Sequence, residues 1–245
     1  MYKGNTEMMR FKTMFATVIT LGLIPSAVLA QAPQCTIPGA LPETSVLQPP
    51  PGEAYNIPIT GYSLALSWSP QFCKTHDESK FDTQCKADRS FGFILHGLWP
   101  DGEGHKNPQW CKKVEAVPRD VVKQTWCATP SADLQQHEWA KHGSCMAKNA
   151  SQYFRTARLL YDALKWPDMD ALSRQSPLTV GMFRQAFVAA NPGLKAETIS
   201  VRLTQLGWLE ELRLCLGGDL HTTRCPKAAS GAGNKAKLRI WRSAR

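Results

Sequence analysis

Phe93-Ile-Leu-His-Gly-Leu-Trp-Pro100 starts as an apolar strand and gives way at His96-Gly97, just ahead of Pro100. The strand is read over residues 90–95, which leaves His96 at its end. Upstream, Tyr62-Ser-Leu-Ala-Leu-Ser-Trp68 alternates large and small side chains with the period of two that a strand requires. Downstream the period changes. Asp133 is a credible N-cap for a helix through Gln135, His137, Trp139 and His142, with Gly143 as its terminator. Residues 151–166 carry apolar side chains at helical spacing, and residues 179–190 form a further helix stopped by Asn191-Pro192-Gly193. Residues 199–204, 208–216 and 238–241 return to strand character, while 69–89 and 100–120 read as polar, cysteine-bearing loops. Helices in the middle and strands towards both ends predict an α+β fold: one domain with a central, mostly antiparallel sheet flanked by helices.

The first 30 residues read as an export signal. Lys3, Arg10 and Lys12 form a basic head, residues 14–24 an apolar stretch, and the small residues up to Ala30 or Ala32 a cleavage region. The apolar run is shorter than the ~20 residues a membrane span needs. The expected organisation is a signal over 1–30, a proline-rich arm over 31–60 and one domain over 61–245. The chain has 29 Lys and Arg against 20 Asp and Glu, a net charge of +9. Losing three Lys/Arg and one Glu with the signal leaves +7, a balance that favours polyanionic partners. The eight cysteines (Cys35, Cys73, Cys85, Cys111, Cys127, Cys145, Cys215, Cys225) all follow the signal. An even count in an exported chain, periplasmic or secreted, reads as four disulfides, with 105 pairings open to it. A Cys/His zinc site would want two cysteines two to four residues apart, and here nine or more residues separate the nearest pair.

His137-Glu-Trp-Ala-Lys-His-Gly-Ser-Cys145 follows His96 by 41 residues. On a helix, Glu138 and His142 are four apart and share a face, and His137 and Lys141 form a second such pair beside them. The opening His-Glu resembles a zinc-binding His-Glu-x-x-His, but Lys141 stands where the second ligand belongs and His142 is displaced by one. Cys145 beside His142 is a nucleophile on paper, but a cysteine among seven others in an oxidising compartment is far more often bridged. Three imidazoles, a carboxylate and an ammonium fit metal-free acid–base work on an anionic phosphodiester. His76, His105 and His221 read as solvated, and Trp68, Trp126, Trp166 and Trp208 as core. The basic tail 235–245 reads as an amphipathic final strand, the alternative being a track for an RNA backbone.

The two segments His96-Gly-Leu-Trp-Pro100 and His137 to Cys145 together resemble the paired active-site segments of the ribonuclease T2 family. The resemblance covers about residues 62–226. It implies an α+β endoribonuclease that cuts RNA without metal or cofactor, through a 2′,3′-cyclic phosphate. Carried over by position, it makes His142 the general base, His96 the general acid and His137 a phosphate ligand. Glu138 and Lys141 would support the phosphorus centre, and Trp99 and Asp101 would border a base. A tyrosine expected shortly after Asp101 is missing, with Trp110 as its candidate substitute, so low base specificity is expected. The resemblance also implies bridges Cys111–Cys145 and Cys215–Cys225. Cys73–Cys85 is a plausible local bridge, and Cys35 and Cys127 remain. The expected partner is RNA, with no obligate protein partner and a monomeric state.

Overall fold

In the computed structural model of the chain, the residues described are Met1, 35–76, 82–85, 91–104 and 106–242. Residues 2–30 of the expected signal, Ser90, His105 and the last three residues of the tail lie outside them. Four strands, β1 (Gly61–Trp68), β2 (Phe93–Asp101), β3 (Ile199–Leu203) and β4 (Leu209–Gly217), form a wholly antiparallel sheet in the order β2-β1-β4-β3. Eight α-helices accompany them in the described residues: α1 (Ser69–Thr75), α2 (Asp82–Cys85), α3 (Arg119–Thr125), α4 (Ala132–Glu138), α5 (Ser144–Met146), α6 (Ala150–Asp162), α7 (Met169–Arg174) and α8 (Val180–Ala190). The fold is therefore α+β, held by disulfides Cys35–Cys127, Cys73–Cys85, Cys111–Cys145 and Cys215–Cys225.

The period of two divides the sheet's work between its faces. Leu64 and Leu66 on β1 and Leu212 and Leu214 on β4 are buried in the core with Tyr153, Phe154 and Ala157 of α6 and Phe183 and Phe187 of α8. Each such side chain stabilises the fold by roughly 1.5–3 kcal/mol relative to exposure. The register sets Ser67 opposite Glu211 and Ala65 opposite Arg213, so the other face carries small and charged residues. That polar face holds the candidate site.

Several local expectations change. β2 does not stop at His96 but runs to Asp101, because a bulge absorbs the histidine: Ala65 pairs with Gly97 and Leu66 with Leu95, leaving His96 as the extra residue. Residues 69–89, expected as loop, contain α1 and α2, started by Pro70 in the first turn and clipped together by Cys73–Cys85. α3 begins inside another expected loop and buries Val121, Val122 and Thr125 on one side. α7 was not anticipated. The N-cap of α4 is Ser131, whose hydroxyl accepts from Leu134 N at 3.2 Å, with Asp133 exposed in the first turn. α6 ends at Asp162, leaving Trp166 beyond it. Residues 238–241 make a single bridge, Trp208 to Arg239, rather than a strand. The arm, extended over its described part, is fastened to the domain by Cys35–Cys127, by buried Leu41 and by paired backbone bonds between Tyr55 and Gln109.

Candidate active site

Gly143 does not end the helix. Residues Trp139–Gly143 form a π-helical turn in which Ser144 N donates to Trp139 O, and the helix continues through α5. A π turn bonds residue i to i+5 and so inserts an extra residue into the helix, which shifts His142 round the axis relative to His137 and Glu138 of α4. No Cβ fits at Gly143, where Trp139 and Tyr153 would lie 2.5 and 2.8 Å away. Trp110 N donates to Lys141 O at 2.7 Å, and Cys111–Cys145 fixes the far end, so the turn is held from two sides.

Trp99 is the hub. It projects from β2 towards this turn, and its Nε1–H donates to Glu138 Oε2 at 2.6 Å. The His96 ring meets it edge-on at 5.1 Å and the His142 ring stacks at 5.3 Å, while the Arg213 guanidinium lies over it at 4.4 Å. His96 and His142 thus flank one indole. His96 Nε2 is 3.6 Å from Glu138 Oε1. Its Nδ1 lies 2.8 Å from Glu211 Oε2 and 3.1 Å from Ser67 Oγ, and Glu211 Oε1 accepts from Arg213 Nε at 2.6 Å.

The electrostatics separate the two histidines. Burial alone would pull His96 down, but its bond to Glu211 and the charges of Glu138 and Glu211 outweigh that and raise it. Burial drives His142 down to about 2, helped by the positive neighbours Lys141, His137, His96 and Arg213. His142 is consequently neutral and His96 the ring poised to carry a proton. His142 Nδ1 is buried without a protein partner. His137 is also lowered, by burial and then by Lys141 and His96. Burial lifts Glu138 to about 7, partly opposed by His96, the Trp99 bond and Lys141, so much of it is a neutral carboxyl near pH 7. Asp101 accepts from Ser63 Oγ at 2.8 Å and is raised by its burial.

The model of the Ribonuclease T2 family matches residues 60–176. A ribonuclease of Aeromonas hydrophila is 35% identical over 164 residues, 64% of this chain and 72% of that one. The chain belongs to the ribonuclease T2 family. A probable ribonuclease of Haemophilus influenzae is 38% identical over 129 residues, covering 48% of this chain and about half, 47%, of the relative. Among solved structures, trichomaglin, described as an S-like ribonuclease, superposes with TM-score 0.58 at 19% identity, over 76% of this chain and 98% of its own. An RNase-related protein from Calystegia sepium gives 0.54 at 24%, over 74% and 97%. These two likenesses bear on the fold alone.

In this T2-family chain the structure gathers His96, His137, Glu138, Lys141, His142 and Trp99 in one neighbourhood, with Asp101 two residues along β2. Trp110, considered as a stand-in for the missing tyrosine, is 9% exposed and packs edge-on against His137 at 5.8 Å. It walls the site from behind and offers no open face to a base. Sequence reasoning missed Glu211 and Arg213. Their signal was present: Glu211 and Arg213 are charges two apart that share one face of a strand paired on both sides, where they need a polar purpose, while the neighbouring Glu210 is exposed.

Gly97 makes the close approach possible. A Cβ there would collide with the Glu138 carboxylate and lie 2.7 Å from Trp99 Nε1. Gly97→Ala should therefore cost about 1–3 kcal/mol by overpacking. Thermal unfolding should show Tm falling by roughly 2–4 °C for each kcal/mol. An unchanged Tm would mean that Glu138 moves aside freely.

Proposed function

We propose that this protein is an exported endoribonuclease that cleaves single-stranded RNA by metal-independent transphosphorylation, with low base specificity. On this reading residues 1–30 are the signal and 61–245 the catalytic domain. The observation that carries the proposal is the pair of oppositely tuned imidazoles flanking Trp99, one raised by Glu211 and the other held neutral.

Neutral His142 takes the proton of the ribose 2′-OH as that oxygen attacks the adjacent phosphorus. Protonated His96 delivers its Nε2 proton to the departing 5′-oxygen. The bond from phosphorus to the 2′-oxygen forms, the bond to the 5′-oxygen breaks, and the ends are a 2′,3′-cyclic phosphate and a free 5′-OH. In a second step the two histidines exchange roles and water opens the ring.

A pKa near 2 suits a neutral ring but not a proton acceptor. The bound phosphodiester works in the other direction, because its negative charge beside the buried ring favours the protonated form and offsets the neighbouring cations Lys141 and Arg213. Lys141 and His137 stabilise the extra charge that develops at phosphorus. Glu138, raised by burial to about 7, is in large part neutral there, and its neutral form faces the phosphate without repulsion and is able to donate a hydrogen bond. Trp99 and Asp101 border the base. With the Trp99 indole already engaged by His142, Arg213 and Glu138, and no tyrosine beside it, base selection is weak.

The dinucleotide ApU provides the test. Wild-type protein should release uridine and adenosine 2′,3′-cyclic phosphate, at the same rate with and without EDTA. The 2′-O-methylated dinucleotide should remain intact. Cleavage of the methylated substrate would overturn attack by the sugar hydroxyl, and EDTA inhibition reversed by zinc would overturn the metal-independent step.

A further inference from the structure

The basic tail and the tryptophan at the start of β4 meet in a second feature, away from the paired histidines. Leu238 and Ile240 are buried, while Lys237, Arg239 and Arg242 are exposed. With Arg174 and Asp170 of α7, and with Trp208 and Trp241, they line an open groove of about 1050 Å³. Four cations line it against one carboxylate, and that carboxylate, Asp170, is bonded to Arg174 at 2.6 Å. The two indoles stand at a steep angle 5.1 Å apart. Arg239 lies against Trp208 at 5.6 Å and Lys74 against Trp241 at 4.8 Å.

The frame beneath these side chains is fixed. Arg239 exchanges backbone bonds with Gly207 and Leu209, Leu238 N donates to Leu178 O, and Trp68 Nε1 donates to Trp241 O at 2.8 Å. The same strands lead to the catalytic face: Ser67, next to Trp68, touches His96, and Glu211, three residues past Trp208, holds it. Three residues of strand span about 10 Å.

We propose that this groove is a second binding site for single-stranded RNA, engaging phosphates through Lys237, Arg239, Arg242 and Arg174 and bases through the Trp208 and Trp241 rings. Cations interleaved with aromatic faces are the combination that holds single strands without reading their sequence, which matches the low base specificity of the cleavage step. The volume is at the upper end of small-molecule pockets, and the groove is partly open to solvent. The inference rests on RNA being the substrate. It adds that long RNA is held at two places on the molecule, whereas a dinucleotide uses only one.

The test compares wild type with the double variant Lys237→Glu, Arg242→Glu, both exposed side chains, and with Lys237→Gln alone as the milder change. Fluorescence anisotropy on a long, uncleavable 2′-O-methylated oligouridine reads the groove, and ApU cleavage reads the catalytic site. The double variant should bind the oligomer roughly 10-fold more weakly, with a salt slope shallower by about 1.4, while Lys237→Gln loses about half of that slope. ApU cleavage should not change. Equal oligomer affinity in all three proteins would overturn the proposal. So would binding to phosphatidylglycerol vesicles that is lost in the double variant while oligomer binding persists, which would assign the groove to a membrane surface. Failure of wild type to cleave ApU would instead sink the nuclease reading, and the oligomer measurement would still judge the groove.

Discussion

Replacing either His96 or His142 with Phe should lower the rate of ApU cleavage by about 10²–10⁴-fold, the usual worth of a positioned acid or base. The two losses should nevertheless be distinguishable. His96 is assigned the proton that the departing 5′-oxygen receives. A uridine 3′-(4-nitrophenyl) phosphate leaves as a stable phenolate and needs no such proton. On that ester His96→Phe should recover most of its rate, while His142→Phe should remain slow, because the 2′-OH must still be deprotonated. Loss of the same size in both variants on both substrates would remove the assignment of acid and base, even if both rings matter. The folds should survive. His96 is a partly exposed bulge residue, and His142 stacks on an indole that a phenyl ring also accommodates. Circular dichroism like that of wild type in both variants would check this, with Tm close to wild type for His142→Phe and lowered in His96→Phe only by the loss of the Glu211 pair.

How much of this arrangement could be read in advance depended on the range of the interactions involved. The side chains of the 137–142 stretch are local, so helical spacing alone put Glu138, Lys141 and His142 near one another. The π turn was invisible because it is imposed from outside, by Gly143 fitting against Trp139 and Tyr153 and by the Trp110 bond to Lys141. His96 was placed at a strand end because Gly97 and Pro100 look like punctuation. In three dimensions Pro100 lies within β2 opposite Tyr62, and the bulge, which depends on the pairing with β1, turns the imidazole towards Glu211. Tertiary pairing outweighed local signals there. Glu211 is 115 residues from His96, a separation no local pattern spans. The tail shows the opposite error. Its alternation was real, with Leu238 and Ile240 buried, but it pairs through isolated bridges rather than as a fifth strand.

Glu211→Gln should move the alkaline limb of the pH profile. His96 acts as an acid only while protonated, so kcat/KM falls as pH rises through its pKa, which lies above the ordinary 6.5 in the folded protein. Much of that elevation comes from the Glu211 carboxylate, 2.8 Å from Nδ1. Glutamine keeps the shape and a carbonyl acceptor but removes the charge. The limb should therefore shift to lower pH, with activity lost on the alkaline side and little loss in mild acid. A general structural defect would instead lower the whole profile without moving the limb, and that outcome would reject Glu211 as the positioning residue for His96. Stability supplies an independent readout. Glu211 is depressed in the fold, so its contribution is present above about 4.5 and is lost as pH falls through its folded pKa. His96 is raised, so its contribution is full below 6.5 and is lost as pH rises through its folded pKa. The pair accordingly stabilises the protein most between these limits, and the variant should lose Tm chiefly in that window.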